Sequence, residues 1–459
     1  MKQNLQITLG LFTLLSFSIT AQPKTIYGGY QRSYVLNDDS TICGMGMNNQ
    51  YVLGDGVYGY HTGSDFVKAK NVSPTLSVSS NGGSHTLFLK KDSTVWACGG
   101  NNTGQLGDGT GQQQQFPIYI PNLASIKQIT SSSASSYALQ NDGIVWAWGD
   151  NTYGQIGDST TANRFVPVKT KISNVKKIAA GYNAVLALKN DGTLWTWGNN
   201  TLSGAGYNIK PKQVVGISNV IDVAISKGSR TCFVIKNDST LWAWGENTFA
   251  MLANGNTFDS YSPNQIIGVS HVSSVSVGFQ NVLVLQNNGT VWAWGKNAYG
   301  EVGDSTYATK YTPVKVKSLS KIKDIASGYY HSLAMDSLNR LSIWGNGYQN
   351  TYPNDYIPQK IASTCFNFVV NSLYQSIPEH INLKIYPNPS KDIITIELEN
   401  TDFDKNAQID IYSSLSQVVY HASIKESMAS FNIAHLNSGI YTIKLNNKGI
   451  TFYAKIIKE

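Results

Sequence analysis

A glycine that follows a tryptophan or its equivalent recurs seven times, at Gly46, Gly99, Gly149, Gly198, Gly245, Gly295 and Gly345. The intervals are 53, 50, 49, 47, 50 and 50 residues. A unit of this size cannot bury its own apolar face and has to stack on the next copy. In the clearest copy, residues 178–198, Leu186 to Leu188 and Thr193 to Trp197 alternate as strands. Between them Asn190-Asp191-Gly192 supplies the φ > 0 residues of a tight hairpin. Equivalent turns are Asn141-Asp142-Gly143, Asn237-Asp238-Ser239 and Asn287-Asn288-Gly289. Each copy continues through a Gly-rich loop into a Pro-containing extended segment such as 164–168. About fifty residues with four short strands make one propeller blade, and seven of them close a ring without free edges. The expected fold is all-β: a seven-bladed β-propeller over 22–366, followed by a small antiparallel β-sandwich. The ring is expected to close by its two ends sharing one blade, with the segment 356–360 completing it.

Composition agrees where it bears on this. Charged residues are 14% of the chain, well below the ~25% of an ordinary soluble domain. Aromatics at 11% are too many for a disordered chain. The net charge of +7 is spread without a Lys/Arg cluster, which argues against nucleic acid as a partner. Residues 1–21 read as a secretory signal peptide: Lys2 gives a positive start, 5–19 is mostly apolar, and Ala21 suits the position before cleavage. No later run reaches the ~18 apolar residues of a membrane-spanning helix. The expected location is secreted, extracellular or on the cell surface.

The repeat stops at about 366, and 367–380 reads as a linker. Over 381–459 seven short alternating runs follow one another: 382–386, 393–398, 408–412, 417–422, 430–433, 439–445 and 451–457. Seven such runs at this spacing suggest a small sandwich.

Two resemblances rest on these residues. The pattern G-x-x-x-x-L-A-L-x-x-D-G-x-x-W-x-W-G-x-N-x-x-G-Q-L-G-D-G-T, carried well by 181–199, 96–110 and 146–160, resembles the regulator of chromosome condensation repeat family. It spans about three-quarters of the chain and implies a seven-bladed propeller. The Gly-Asp loop decays to Gly204-Ala205-Gly206, Leu252-Ala253-Asn254 and Tyr352-Pro353-Asn354 in three copies, so a function needing that loop in every blade is not implied. The second resemblance lies in Pro387-Asn388-Pro389, in Gly439 with Tyr441, and in the basic tail ending Lys458-Glu459. These are similar to the C-terminal sorting domain of the type IX secretion system of Bacteroidetes. The resemblance implies the type IX machinery as a partner and release or surface attachment after export.

Individual residues offer little chemistry. All ten Trp fall in the repeat motif, where a ring recurring once per blade reads as the packing layer between blades. Gly54-Asp55, Gly107-Asp108, Gly157-Asp158 and Gly303-Asp304 each offer one carboxylate, too few for a Ca²⁺ site, and read as turn residues. His85 and His331 occupy equivalent positions and read as packed, satisfied histidines. No catalytic elbow, phosphate loop, dinucleotide fingerprint or metal-ligand spacing occurs, so no catalytic residue, cofactor or metal is expected. Cys232 reads as a buried thiol, a Cys43–Cys98 bridge is disfavoured by blade spacing, and Cys365 stays open. Asp-Ser-Thr at Asp39, Asp92, Asp158, Asp238 and Asp304 resembles the O-glycosylation acceptor of Bacteroidetes, but reads first as a loop closure repeated with the blade.

Cores must repeat and loops need not, so a binding site is sought where the repeat breaks. The longest break is the first-copy loop 57–71, expected to display Tyr58, Tyr60, His61, Asp65 and Phe66. The leading function is a secreted, non-catalytic module that binds an extracellular protein or glycan. Exported relatives in the repeat family include β-lactamase inhibitory proteins, which points the same way. The alternatives are a secreted enzyme with a site in the propeller funnel and, opposed by the export signals, guanine-nucleotide exchange, the activity of the family's nuclear founding member.

Overall fold

The computed structural model describes residues 25–61, 65–199, 206–346, 355–361, 363, 365, 382–399, 407–413, 417–424, 426, 428–447 and 450–459. The signal-peptide stretch 1–21, the linker 367–380 and two of the decayed loops (204–205 and 352–354) lie outside them. Residues 1–367 and 368–459 form two compact units.

The first unit contains seven sheets among the described residues, each antiparallel and each built from consecutive strands. The fourth runs Val175–Gly181, Ala184–Lys189, Leu194–Asn199 and Tyr207–Val214. Its hairpin is the expected one: Asp191 Oδ1 accepts from Thr193 N at 2.9 Å and from Thr193 Oγ1 at 2.6 Å. The same Asp-x-Thr hydrogen bonds recur at Asp39, Asp92, Asp238 and Asp304. The Asp-Ser-Thr repetition therefore has a structural cause, since the carboxylate caps the backbone of its own turn. The first strand of every sheet lines the axis.

Ring closure differs from the expectation. The first sheet is complete in itself: Ile26–Gly28, Arg32–Leu36 and Ile42–Met47, with Tyr60–His61 and Val67–Lys68 both pairing with the third strand. The last is equally complete, from Ile322–Ser327 to Asp355–Ile361. Among the described residues the two ends share no sheet. Individual hydrogen bonds join them instead: buried Asp324 accepts from Thr25 N at 2.6 Å and Ile26 N at 3.0 Å, His331 Nε2 meets Ser33 Oγ at 2.8 Å, and Tyr329 N donates to Tyr30 O at 3.1 Å. A disulfide links Cys43 to Cys365 across a sequence separation of 322 residues, with Cα atoms 6.1 Å apart. Cys98 and Cys232 are buried thiols.

The core lies between sheets. One apolar cluster takes Tyr137, Leu139 and Ala147 from the third sheet and Ile178, Val185 and Trp197 from the fourth. Equivalent clusters fill the neighbouring gaps. The second Trp of each W-x-W, as at Trp148, Trp197 and Trp294, is fully buried. At these three positions the indole N–H donates to a carbonyl of the preceding blade, Trp148 to Gln105 O at 2.9 Å, Trp197 to Gln155 O at 2.8 Å and Trp294 to Met251 O at 2.7 Å, whereas Trp244 is buried with its Nε1 unpaired among the described residues. A buried ring with its one donor satisfied is a strong anchor. The first Trp is half-buried under a lysine, as in Lys90 over Trp96 at 5.0 Å and Lys236 over Trp242 at 5.0 Å.

The second unit has two antiparallel sheets. Asn382–Tyr386, Ile393–Glu399 and Met428–Asn432 make one; Ala407–Tyr412, Val418–Ile424, Gly439–Asn447 and Ile450–Lys458 make the other. Ile394, Ile396 and Phe431 of the first sheet share a core with Ile409, Ile411 and Ile443 of the second, which makes a sandwich.

Candidate functional site

The Gly-Asp loops are frameworks. Asn101 Nδ2 donates to Asp108 Oδ1 at 2.9 Å, while Asn101 Oδ1 accepts from Leu106 N at 2.9 Å. Six residues beyond the loop aspartate a partner from the outer strand closes on it: Arg164 Nε to Asp158 at 2.7 Å and Lys310 Nζ to Asp304 at 2.7 Å. Among the described residues no group of three or more His, Cys, Asp or Glu is placed to hold a metal ion.

The two equivalent histidines bridge blades. His85 Nε2 lies 2.8 Å from Ser136 Oγ, just as His331 meets Ser33, and in the sixth sheet Asn281 Nδ2 donates to Ser332 Oγ at 3.0 Å. Both imidazoles are buried, and burial, reinforced by Arg32 at His85 and by Lys227 at His331, lowers each to about 3. They are neutral packing groups.

The first-copy loop is only partly displayed. Tyr58 and Tyr60 are exposed, at 64% and 39%, and Tyr58 packs edge-on against Tyr51 at 5.8 Å. His61 and Phe66 are buried and cannot serve as surface contacts. His61 fills the position that Arg164 and Lys310 take elsewhere, with Nε2 3.0 Å from Asp55 and Nδ1 3.4 Å from exposed Asp65. Phe66 belongs to the apolar side of the loop, whose residues 62–64 lie outside the described ones.

A larger aromatic group stands elsewhere. Antiparallel order puts the turn between first and second strands and the loop between third and fourth strands at one end of every sheet. At that end Phe279 stacks on Tyr329 at 3.7 Å, Tyr30 meets Tyr329 at 4.3 Å, and Tyr329 meets Tyr330 at 4.5 Å. Tyr299 packs on Tyr330 at 5.1 Å, and Phe249 lies 6.0 Å from Phe279. All six rings are half-buried, and Tyr182, in the equivalent turn of the fourth sheet, is 42% exposed. The rings come from sheets one, five, six and seven. The first turns of sheets two and three carry small residues instead, Asn81, Gly82, Gly83 and Ser84, then Ser132, Ser133 and Ala134, while Tyr153 in the third-to-fourth-strand loop of sheet three is 40% exposed. Sequence reading missed this arc, although a signal for it exists: an aromatic follows Gly in Gly29-Tyr30, Gly181-Tyr182, Gly278-Phe279 and Gly328-Tyr329.

The charges at this end are engaged internally. Arg32 donates to Ser80 Oγ at 2.7 Å and to the Gly82 and Gly83 carbonyls. Lys227 donates to Gly28 O at 2.5 Å and to Ser327 O, and Arg230 pairs with Glu246. Asn81 Nδ2 donates to Ser131 O at 3.0 Å and reaches Ala180 O at 3.2 Å, two sheets away. Beneath lies an axial cavity of about 190 Å³ walled by the first strands, with Tyr27, Val78, Ile129, Ile178 and Val223 among its lining. That is smaller than the roughly 300–1,000 Å³ of a typical ligand pocket.

The residues of the sorting motif converge in the second unit. Asn388 Oδ1, between Pro387 and Pro389, accepts from Ile457 N at 2.9 Å. Ser390 N donates to Ile457 O at 2.9 Å, and Glu459 N donates to Ser390 O at 3.0 Å. Gly439 pairs with Lys458 across the sheet, and buried Tyr441 donates to Asn437 O at 2.8 Å. The Pro-Asn-Pro segment and the last three residues are therefore one structural element.

Residues 68–369 match the RCC1-like domain family, and residues 384–459 match the secretion system C-terminal sorting domain. Among solved structures, Prp20p from Saccharomyces cerevisiae is similar over 75% of this chain and 87% of its own, at 22% identity and a TM-score of 0.63. Yeast RCC1 (Prp20) bound to Kap60 is similar over 78% and 92%, at 21% identity and a TM-score of 0.63. Human WBSCR16 is similar over 70% and 88%, at 22% identity and a TM-score of 0.60. At these identities the likeness concerns the fold.

Proposed function

Because the chain belongs to the RCC1-like domain family and ends in a secretion system C-terminal sorting domain, we propose that it is an exported, non-catalytic propeller that binds an extracellular macromolecule. The observation that carries this reading is the arc of half-buried aromatic rings at one end of the ring. Rings locked against one another lose little entropy on binding, and aromatic side chains dominate contact surfaces for that reason. Exposed Tyr58, packed on Tyr51, and Tyr60, whose hydroxyl accepts from Asn49 Nδ2 at 3.3 Å, extend the surface. An enzyme in the funnel is disfavoured by a narrow axis whose Lys227 and Asn81 already bond to backbone carbonyls. The solved Prp20p structure is described together with binding to Gsp1p and histones. An exported chain is not expected to meet either partner, and the propeller fold by itself does not carry that binding.

The test uses the intact secreted protein. It should cosediment saturably with cell envelopes of the producing culture and release no sugar, amine or phosphate from them. Product release in proportion to added protein would establish an enzyme instead, and absence of sedimentation would end the binding reading. Removing 381–459 should leave the propeller folded but retained in the periplasm. Normal appearance of the truncated chain in the medium would overturn the export assignment.

A further inference from the structure

We propose that the aromatic end of the propeller is a seat for a neutral saccharide; this rests on the binding function above and names its ligand class. The end is asymmetric about the axis. Tyr30, Phe279, Tyr329, Tyr330 and Tyr299 form a wall over sheets six, seven and one, and Phe279 reaches across the turn of sheet five, where a Cβ at Gly228 would lie 1.3 Å from its ring. The first turns of sheets two and three form a floor of glycines, serines, one asparagine and one alanine, with exposed Tyr153 on the outer loop of sheet three. Tyr30 stands at the junction, as the nearest side chain to a Cβ built on Gly83, 3.9 Å away.

A step of this kind presents two surfaces with different chemistry. Aromatic faces are electron-rich and attract the polarised C–H groups on the flat side of a pyranose. Hydroxyl and amide groups donate and accept in turn, as sugar hydroxyls require. Ser84 Oγ already does both, donating to Ser133 O at 3.3 Å and accepting from Gln105 Nε2 at 3.3 Å. The charge pattern selects against an ionic ligand. Arg32 and Lys227 are held by backbone carbonyls, Arg230 by Glu246, and Lys296 lies 5.6 Å over the Phe249 ring, so the seat shows a partner mainly hydroxyls, amides and rings.

The experiment is calorimetry on the full secreted chain with neutral β-1,3-glucan, β-1,4-glucan, β-1,4-mannan and β-1,4-xylan oligosaccharides, with an oligogalacturonate as the anionic control. At least one neutral oligosaccharide should bind saturably and more tightly than the control. Gly83→Phe should fill the floor and lower affinity by roughly tenfold or more. Gly83 has ordinary backbone geometry and nothing but Tyr30 near its added Cβ, so this variant should melt like the parent. Tyr182→Ala, a change at an exposed ring, provides a second variant free of core damage. Failure of every neutral oligosaccharide to bind, preference for the anionic control, or binding indifferent to both substitutions would each overturn the proposal. Envelope capture that survives periodate but is lost after protease, and still falls with Gly83→Phe, would leave the binding function standing and remove the saccharide.

Discussion

Single residues that break the repeat set the pH response. Glu301 stands where other blades have Gln105 and Gln155. It is 1% exposed, one oxygen accepts from Tyr299 N at 2.9 Å, and burial raises its carboxyl to about 7. The folded state therefore holds this proton where the unfolded chain has lost it. Stability from this residue is complete below about pH 4.5 and disappears as pH rises through 7. The difference in unfolding free energy between the parent and Glu301→Gln should change by about 3 kcal/mol between pH 4.5 and 8. Denaturant titrations at the two pH values measure this, and parallel pH profiles would refute it. His85 and His331 act in the opposite direction. Each is lowered to about 3 by burial, so its stability is present above pH 6.5 and is lost as pH falls toward 3. The double variant His85→Asn, His331→Asn, which copies the role of Asn281, should lose less melting temperature than the parent between pH 7 and pH 5. An equal loss in both proteins would show that acid acts elsewhere.

At the scale of one blade, the tight loop and the tryptophan of the next sheet are made for each other. Gly107 has φ +72°, and a Cβ there would lie 2.8 Å from Trp148 Nε1, the atom that donates to Gln105 O. Gly192 in the hairpin has φ +80° with nothing within 4 Å of its added Cβ. Alanine at 192 should therefore cost only backbone strain, about 1 kcal/mol. Alanine at 107 should cost clearly more, about 2–4 kcal/mol, because it also displaces a buried anchor. Equal melting shifts for the two variants would disprove the coupling. Elements like these were legible in the sequence because their causes are local. Asn-Asp-Gly demands a hairpin, W-x-W a packing layer, and strict alternation over 382–457 a sandwich whose strands fall within a few residues of expectation. The aromatic arc was harder to read because its members lie in different blades and meet only when the ring closes. His61 and Phe66 looked like displayed loop residues because position in a loop does not reveal which side faces the core. Asp55, which draws His61 inward, stands six residues before it, the spacing found again at Asp158–Arg164 and Asp304–Lys310.

For the whole molecule, the decisive contact is the one that joins its ends. Among the described residues no strand stitches sheet seven to sheet one, so the seam rests on Asp324, His331, the Tyr329 N–H to Tyr30 O bond and the Cys43–Cys365 disulfide. The bridge closes a loop of more than three hundred residues, and long loops gain most from closure. Cys43→Ser should lower unfolding stability by about 3–5 kcal/mol, measured against the parent under oxidising conditions. Identical stability in the two proteins would show that the noncovalent seam suffices. The same bond makes the propeller backbone a circle from residue 43 to residue 365. A protease that cuts one loop anywhere in that circle opens a bracelet still fastened at its clasp: no blade is released, and the fragments separate only when a reductant follows the cut. For a chain sent outside the cell, a first cleavage is then survivable wherever among the blades it falls.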